Sequence, residues 1–228
     1  MRRGAWVLAA VAAGGAGWAA AELARPRPAD IRVFDPDEVA RLETAMWRSY
    51  YDRRRLPLFG QLVSLLQGQF HLQPLRAVAL AGLAARAAAV FQVGASHDDY
   101  RGALPYLERY YAGIRTVSEV PFDPHRAAAL ELEWWIVHRE VEDHPPGDLE
   151  NALAELAAEL YQVPAERLWT HAARRAEAMT IRDRTSRREV GVLADDWDRI
   201  EAVLWVAWKA LADEVRMVRV EEEAAPEA

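Results

Sequence analysis

The chain contains no cysteine. Disulfides, thiolate zinc sites, cysteine-linked haem and cysteine nucleophiles are therefore excluded. Lysine is nearly absent as well: Lys209 is the only one, so positive charge is carried by arginine. There is no Gly-rich phosphate loop, no His-Glu-x-x-His pair, no calcium-loop pattern and no Gly-x-Ser-x-Gly elbow, which removes the commonest signatures of nucleotide, metal and hydrolase chemistry. Strict apolar–polar alternation over a strand's length is missing, and no helical-repeat signature emerges. Net positive charge is missing too. At −7 overall, the chain has no concentrated basic face for a phosphate backbone, so a nucleic-acid partner is not expected.

What is present begins with apolar bulk. Of 228 residues, 52% are hydrophobic, enough to bury the core of one domain. Arg2 and Arg3 precede an uncharged stretch over residues 4–21. A positive leader followed by an apolar run is the pattern of an export signal or membrane anchor. Ala19 and Ala21 offer a small-x-small cleavage option, and Trp6 and Trp18 sit near the ends of the run, where interfacial tryptophan is common. Residues 1–21 therefore read as a signal peptide cleaved near Ala21 or as a retained anchor. Both arginines precede the run, which puts the N-terminus in the cytoplasm and the domain outside it. Three prolines in 22–36 suggest a linker, and residues 221–228 form an acidic tail expected to be disordered.

Between them, residues 37–220 carry helical periodicity almost throughout. The spacing predicts an all-α, compact bundle of about seven to eight helices. The expected segments are 37–54, 58–70, 74–91, 100–117, 124–141, 148–161, 164–182 and a last long helix opened by a capping box at Ser186 and Glu189. Val93 to Asp99 reads as a loop. Asp123-Pro124 is a helix start, a side-chain cap followed by proline at the first helical position. Gly82 and the alanines around it suggest close helix packing. The last helix carries Leu193, Trp197, Ile200, Leu204, Trp208, Leu211, Val215 and Val218 at 4–3 spacing.

Chemistry is sought among polar residues that fall inside apolar faces. At 100° per residue, Glu131 lies at the centre of an arc with Leu130, Trp134, Trp135 and Leu132, and His138 projects in line with it. Glu43 falls among Leu42, Met46, Trp47 and Tyr50, and Glu201 among Trp197, Trp205 and Trp208. Asp183 ends the stripe that begins at Trp169. A buried carboxylate is costly unless partnered, and the expected partners are Arg48, Arg139 or Arg182, or indole N–H groups. Three uses are open to such a cluster. The first is a structural polar network. The second is a carboxylate–histidine metal site, against which stands the distance from Glu131 to His138, about 10 Å along the axis. The third is acid–base catalysis by Glu131 or His138. The cofactor and any metal are left unknown. The Arg53-Arg54-Arg55 cluster reads first as a cationic helix cap and second as a contact for anionic headgroups. The expectation is a membrane-tethered or exported helical module of non-catalytic, interaction or structural role. The alternative is a metal- or acid/base-dependent bundle enzyme built on Glu43, Glu131, His138 and Glu201.

Overall fold

A computed structural model describes residues 25–224. The proposed signal or anchor over 1–21 and the end of the acidic tail lie outside the described residues. Among the described residues the protein is all-helical, with no strand and one isolated parallel bridge between Ala29 and Ser118. Helix α1 spans Pro36–Tyr51, α2 Arg55–Phe70, α3 Pro74–Val93, the single-turn α4 His97–Arg101, α5 Leu104–Arg115, α6 Pro124–Arg139 and α7 Asp148–Tyr161. A 3-10 turn at Ala165–Leu168 leads into α8, Trp169–Ser186, and α9 closes the chain at Ala194–Ala224.

Local chemistry sets most of these starts. The Asp35 carboxylate accepts from the Asp37 and Glu38 amides, and Pro36 opens α1. Asp123 caps α6 through the His125 amide, with Pro124 in the first turn, as the sequence indicated. Pro57 does not break the chain after α1; it sits in the first turn of α2, where its missing N–H costs nothing. Gly147, at φ 100°, supplies the turn into α7 that a residue with a side chain would adopt only under strain.

Several expectations are corrected. The 93–99 region holds a capped turn: the Ser96 hydroxyl accepts from the Asp99 amide while Asp99 reaches back to the Ala95 amide, and α4 follows. Ser186 does not open the last helix. Its hydroxyl bonds back to the Asp183 carbonyl at the end of α8, and Gly191, at φ 67°, turns the chain through 187–193. Asp196 then satisfies the Leu193 amide and binds Arg188. Leu193 is accordingly exposed, while the rest of its stripe from Trp197 to Val218 is buried. The expected disordered tail is helical through Ala224. The expected linker is fixed to the domain from Ala29 on: the Ala29 amide donates to the Val117 carbonyl, the Glu119 amide donates to the Ala29 carbonyl, and Ile31 is fully buried.

Each long helix packs against its predecessor and successor, and α9 packs along both α8 and α1, so the neighbours close into a ring in the order α1, α2, α3, α5, α6, α7, α8, α9. Ion pairs fasten the closure: Arg32 binds Glu222, and Asp30 binds both Arg32 and Arg219. Among the described glycines, Gly113 of α5 has the least room: a Cβ there would fall 2.4 Å from Leu80 of α3. Gly82, the glycine expected to allow close packing, faces open space.

Candidate functional site

The polar groups inside the ring come from nearly every wall. Glu43 of α1 is buried, with Oε1 2.6 Å from Arg175 Nη2 of α8 and Oε2 accepting the Trp208 indole N–H of α9 at 2.6 Å. The carboxylate thus has a partner on each oxygen. Arg175 also lies over the faces of Trp208 and Trp134, at 5.5 and 5.9 Å from the ring centroids, where the π quadrupole favours a cation. Burial opposes the arginine's charge, but Glu43, and more distantly Glu131, more than offset it, so its pKa lies above the ordinary value.

Glu131 of α6 faces the same interior. Its Oε2 accepts the Tyr111 hydroxyl of α5 at 2.8 Å and its Oε1 the Trp135 indole at 2.9 Å. Desolvation raises its carboxyl above the usual range. The nearby Trp134 and Tyr111, the charge of Arg175 and the Trp135 bond pull it back only in part. The surrounding phenols of Tyr110 and Tyr111 are pushed well above their ordinary pKa, first by burial and next by the Glu131 charge. Gln69 of α2 donates to the Tyr161 hydroxyl of α7 at 2.7 Å, a third bonded set in the same interior.

His171 is the group that sequence reasoning missed. It is fully enclosed, its Nδ1 is 3.0 Å from the Ala207 carbonyl, and its ring meets Trp208 edge-on at 5.0 Å. Burial, then the Arg175 charge one turn on, lowers its pKa to about 3, so it is neutral at physiological pH and donates to Ala207 from Nδ1. Its spacing offered a signal: His171, Arg175 and Ala178 are i, i+4 and i+7 on one face of α8, and Ala178 is fully buried.

The other expected members lie elsewhere. His138 is partly buried and pairs through Nε2 with Asp183 at 3.2 Å, and Asp183 also binds Arg182 at 2.8 Å. Burial works against the Asp183 charge, but His138 and Arg182 outweigh it and hold its carboxyl below the usual range. Arg182 lies over the Tyr51 ring, and burial raises the Tyr51 hydroxyl to about 12. Glu201 is exposed, in a shallow groove of about 330 Å³ lined by Asp37, Ala40, Asp198, Ala202 and Trp205. The helical wheel misplaced it because Trp205, four residues on, is itself exposed and turns its indole N–H to Asp37. The expected arginine partners also differ. Arg139 stacks on Phe91 at 4.0 Å and donates to the Phe91 carbonyl, Arg48 is exposed, and Arg175 takes the role assigned to them.

Glu43, Glu131, His138 and Glu201 therefore do not converge. Glu43 pairs with Arg175, Glu131 is bonded to Tyr111 and Trp135 with the Arg175 charge at longer range, His138 belongs to a separate pair with Asp183, and Glu201 faces solvent. Among the described residues no group of three or more histidines and acids could hold a metal ion. Comparison with known proteins finds no matching family, no similar curated protein and no solved structure that resembles the fold.

Proposed function

We propose that this chain is a non-catalytic helical module, held at a membrane or exported by residues 4–21, whose task is to present a rigid surface rather than to transform a substrate. One observation carries the reading. Both oxygens of Glu43 and both of Glu131 are bonded to side chains of the protein, while Arg175 Nε and the Trp134 indole N–H beside them stay without a hydrogen-bond partner among the described residues. A catalytic acid or base must reach a reacting atom, and each oxygen of these two carboxylates is already engaged by a neighbouring side chain. Buried networks of this kind select one arrangement of helices over its alternatives. Phe34, Tyr161 and Trp208 pack around the same interior, with ring centroids 6.0 Å apart in each pair that Phe34 makes.

The test has two parts. Elemental analysis of the purified full chain should find no stoichiometric transition metal; one bound ion per chain would overturn the reading in favour of a metal-dependent enzyme. Protease added to spheroplasts should digest the domain, since the arginines before residue 4 favour an outward-facing domain. Protection with intact membranes would refute that topology.

A further inference from the structure

The chain as a whole is acidic, yet Asp52 is followed by no aspartate or glutamate until Asp98. In that interval stand Arg53, Arg54, Arg55, Arg76 and Arg86, and it folds as the α2–α3 hairpin. Helix α3 is long and apolar enough to cross a bilayer by length and composition, but only 28% of its apolar stretch is buried. It is therefore covered by the domain on one side only. Ala77, Leu80, Ala81 and Ala87 fix its inner face in the core, so it lies along the molecule's surface. Its outer face carries Val78, at 45% exposure, Gly82, Ala85 and Ala89, with Arg86 beside them.

The ends of the hairpin sharpen the pattern. The helices are joined by three residues, 71–73, and pack on one another, so they run antiparallel. The start of α2 and the end of α3 share one end. There sit Leu56, 88% exposed, and Val93, 84% exposed, which surpass every other large hydrophobic side chain among the described residues. Arg53, Arg54 and Arg55 are exposed beside Leu56, and none forms an ion pair with a described residue. Apolar side chains flanked by cations, on a hairpin with no carboxylate of its own between the exposed Asp52 and Asp98, are the composition of a helix that lies in a bilayer interface.

We propose that the outer face of the α2–α3 hairpin docks on an anionic lipid bilayer, with Val78 and Val93 at the acyl boundary and Arg53, Arg54, Arg55 and Arg86 among the headgroup phosphates. Charge complementarity selects this occupant: a run of cations without acids in a chain of net charge −7 fits a negative surface and disfavours a second copy of the same basic face. The exposed residues of α3 are small, so apolar insertion alone is weak and binding depends on the arginines. This contact is distinct from the tether assigned to residues 4–21. The first described residues run beside the start of α3, at the opposite end of the hairpin from Leu56 and Val93. Arg76, in the first turn of α3, donates to Thr116, and Ala29 is pinned to the adjacent Val117 and Glu119.

The absence of cysteine makes the test direct. The full chain is labelled with an environment-sensitive fluorophore at Val78→Cys or Val93→Cys, and, for control, at Thr170→Cys on α8, across the ring from α3. Vesicles of phosphatidylcholine alone are compared with vesicles that also contain phosphatidylglycerol. The α3 labels should shift to the blue and be quenched by lipid-borne nitroxide only with the anionic vesicles, and the Thr170 label in neither. Replacing Arg53, Arg54 and Arg55 by glutamine should weaken the lipid dependence by about a hundredfold, at roughly fivefold per arginine, and high salt should do the same. No shift, an equal shift with neutral vesicles, or a shift without lipid that grows with protein concentration would each overturn the proposal. Flotation of the unlabelled chain with neutral vesicles reports the N-terminal tether separately, so failure of one reading is distinguishable from failure of the other.

Discussion

Replacing Arg175 by methionine keeps the length of the side chain and removes its charge. Glu43, whose side chain is only 7% exposed, would keep the Trp208 bond and lose its counter-ion. Glu131 would lose the positive charge that partly opposes its desolvation. Breaking a buried pair from one side costs about 3–5 kcal/mol, because the remaining charge is stranded. For a domain of this size each kcal/mol moves the melting temperature by about 2–4 °C, so a fall of about 6–20 °C is expected. Chemical denaturation of Arg175→Met, Glu43→Leu and the double variant at pH 7 would measure the coupling. The double variant should be more stable than Arg175→Met, since it no longer strands a charge on α1. Lowering the pH toward 4 should recover part of the loss in Arg175→Met by protonating the stranded acids. A cost below about 1 kcal/mol, within the range of ordinary exposed ion pairs, would refute the claim that Arg175 organises the interior.

Other outcomes follow from single residues. His171 has a folded pKa below its unfolded one, so the stability it contributes is complete above about pH 6.5 and is lost on acidification toward about pH 3, at about 1.4 kcal/mol per pH unit; His171→Asn, which keeps a donor for Ala207, should flatten that limb in urea titrations across pH, and an unchanged slope would contradict the assignment. Glu131 has the opposite sign. Its raised pKa means its contribution is complete below its unfolded value and is lost as pH rises through the folded one, so Glu131→Gln should gain on wild type from acid toward neutral pH. Glu131→Ala, which orphans the Tyr111 hydroxyl and the Trp135 indole, should cost about 1–3 kcal/mol, whereas Glu201→Ala should stay within about 0.5 kcal/mol; equal effects in denaturation would mean the α6 face is wrong. Gly113→Ala should destabilise by about 1–2 kcal/mol despite alanine's better helix propensity, because its methyl meets Leu80, and thermal melts in which it stabilises would show that Leu80 yields freely.

The helical class and most helix bodies were legible because their stripes are long. Trp197 to Val218 keeps one period over six turns, and Asp123-Pro124 announces α6 by cap chemistry alone. Ends were less legible where two local signals compete. Ser186 and Glu189 have capping-box spacing, but the hydroxyl had a nearer acceptor in the Asp183 carbonyl. The inward positions of Glu43 and Glu131 could be read from the wheel, since both lie amid apolar residues on their own helices. Their shared partner could not, because Arg175 lies 132 residues from Glu43 in sequence, and periodicity within one helix says nothing about which helix it faces. Glu201 failed for a related reason: a tryptophan at the edge of a stripe was counted as core, and Trp205 spends its N–H at the surface on Asp37.

Ring closure has a consequence for the order in which the chain acquires its structure. Every pair of neighbouring helices but one is close in sequence, so the hairpins can form as the chain emerges, and only the α1–α9 seam waits for the far end. Until α9 arrives, Glu43 lacks the indole that holds its second oxygen, and the side of α1 that faces the seam is open to water. A chain cut short before Ala194 would thus be a stack of helix pairs with one raw flank, and the last helix acts as a latch: its arrival marks the moment at which a nascent, sticky array becomes a finished particle.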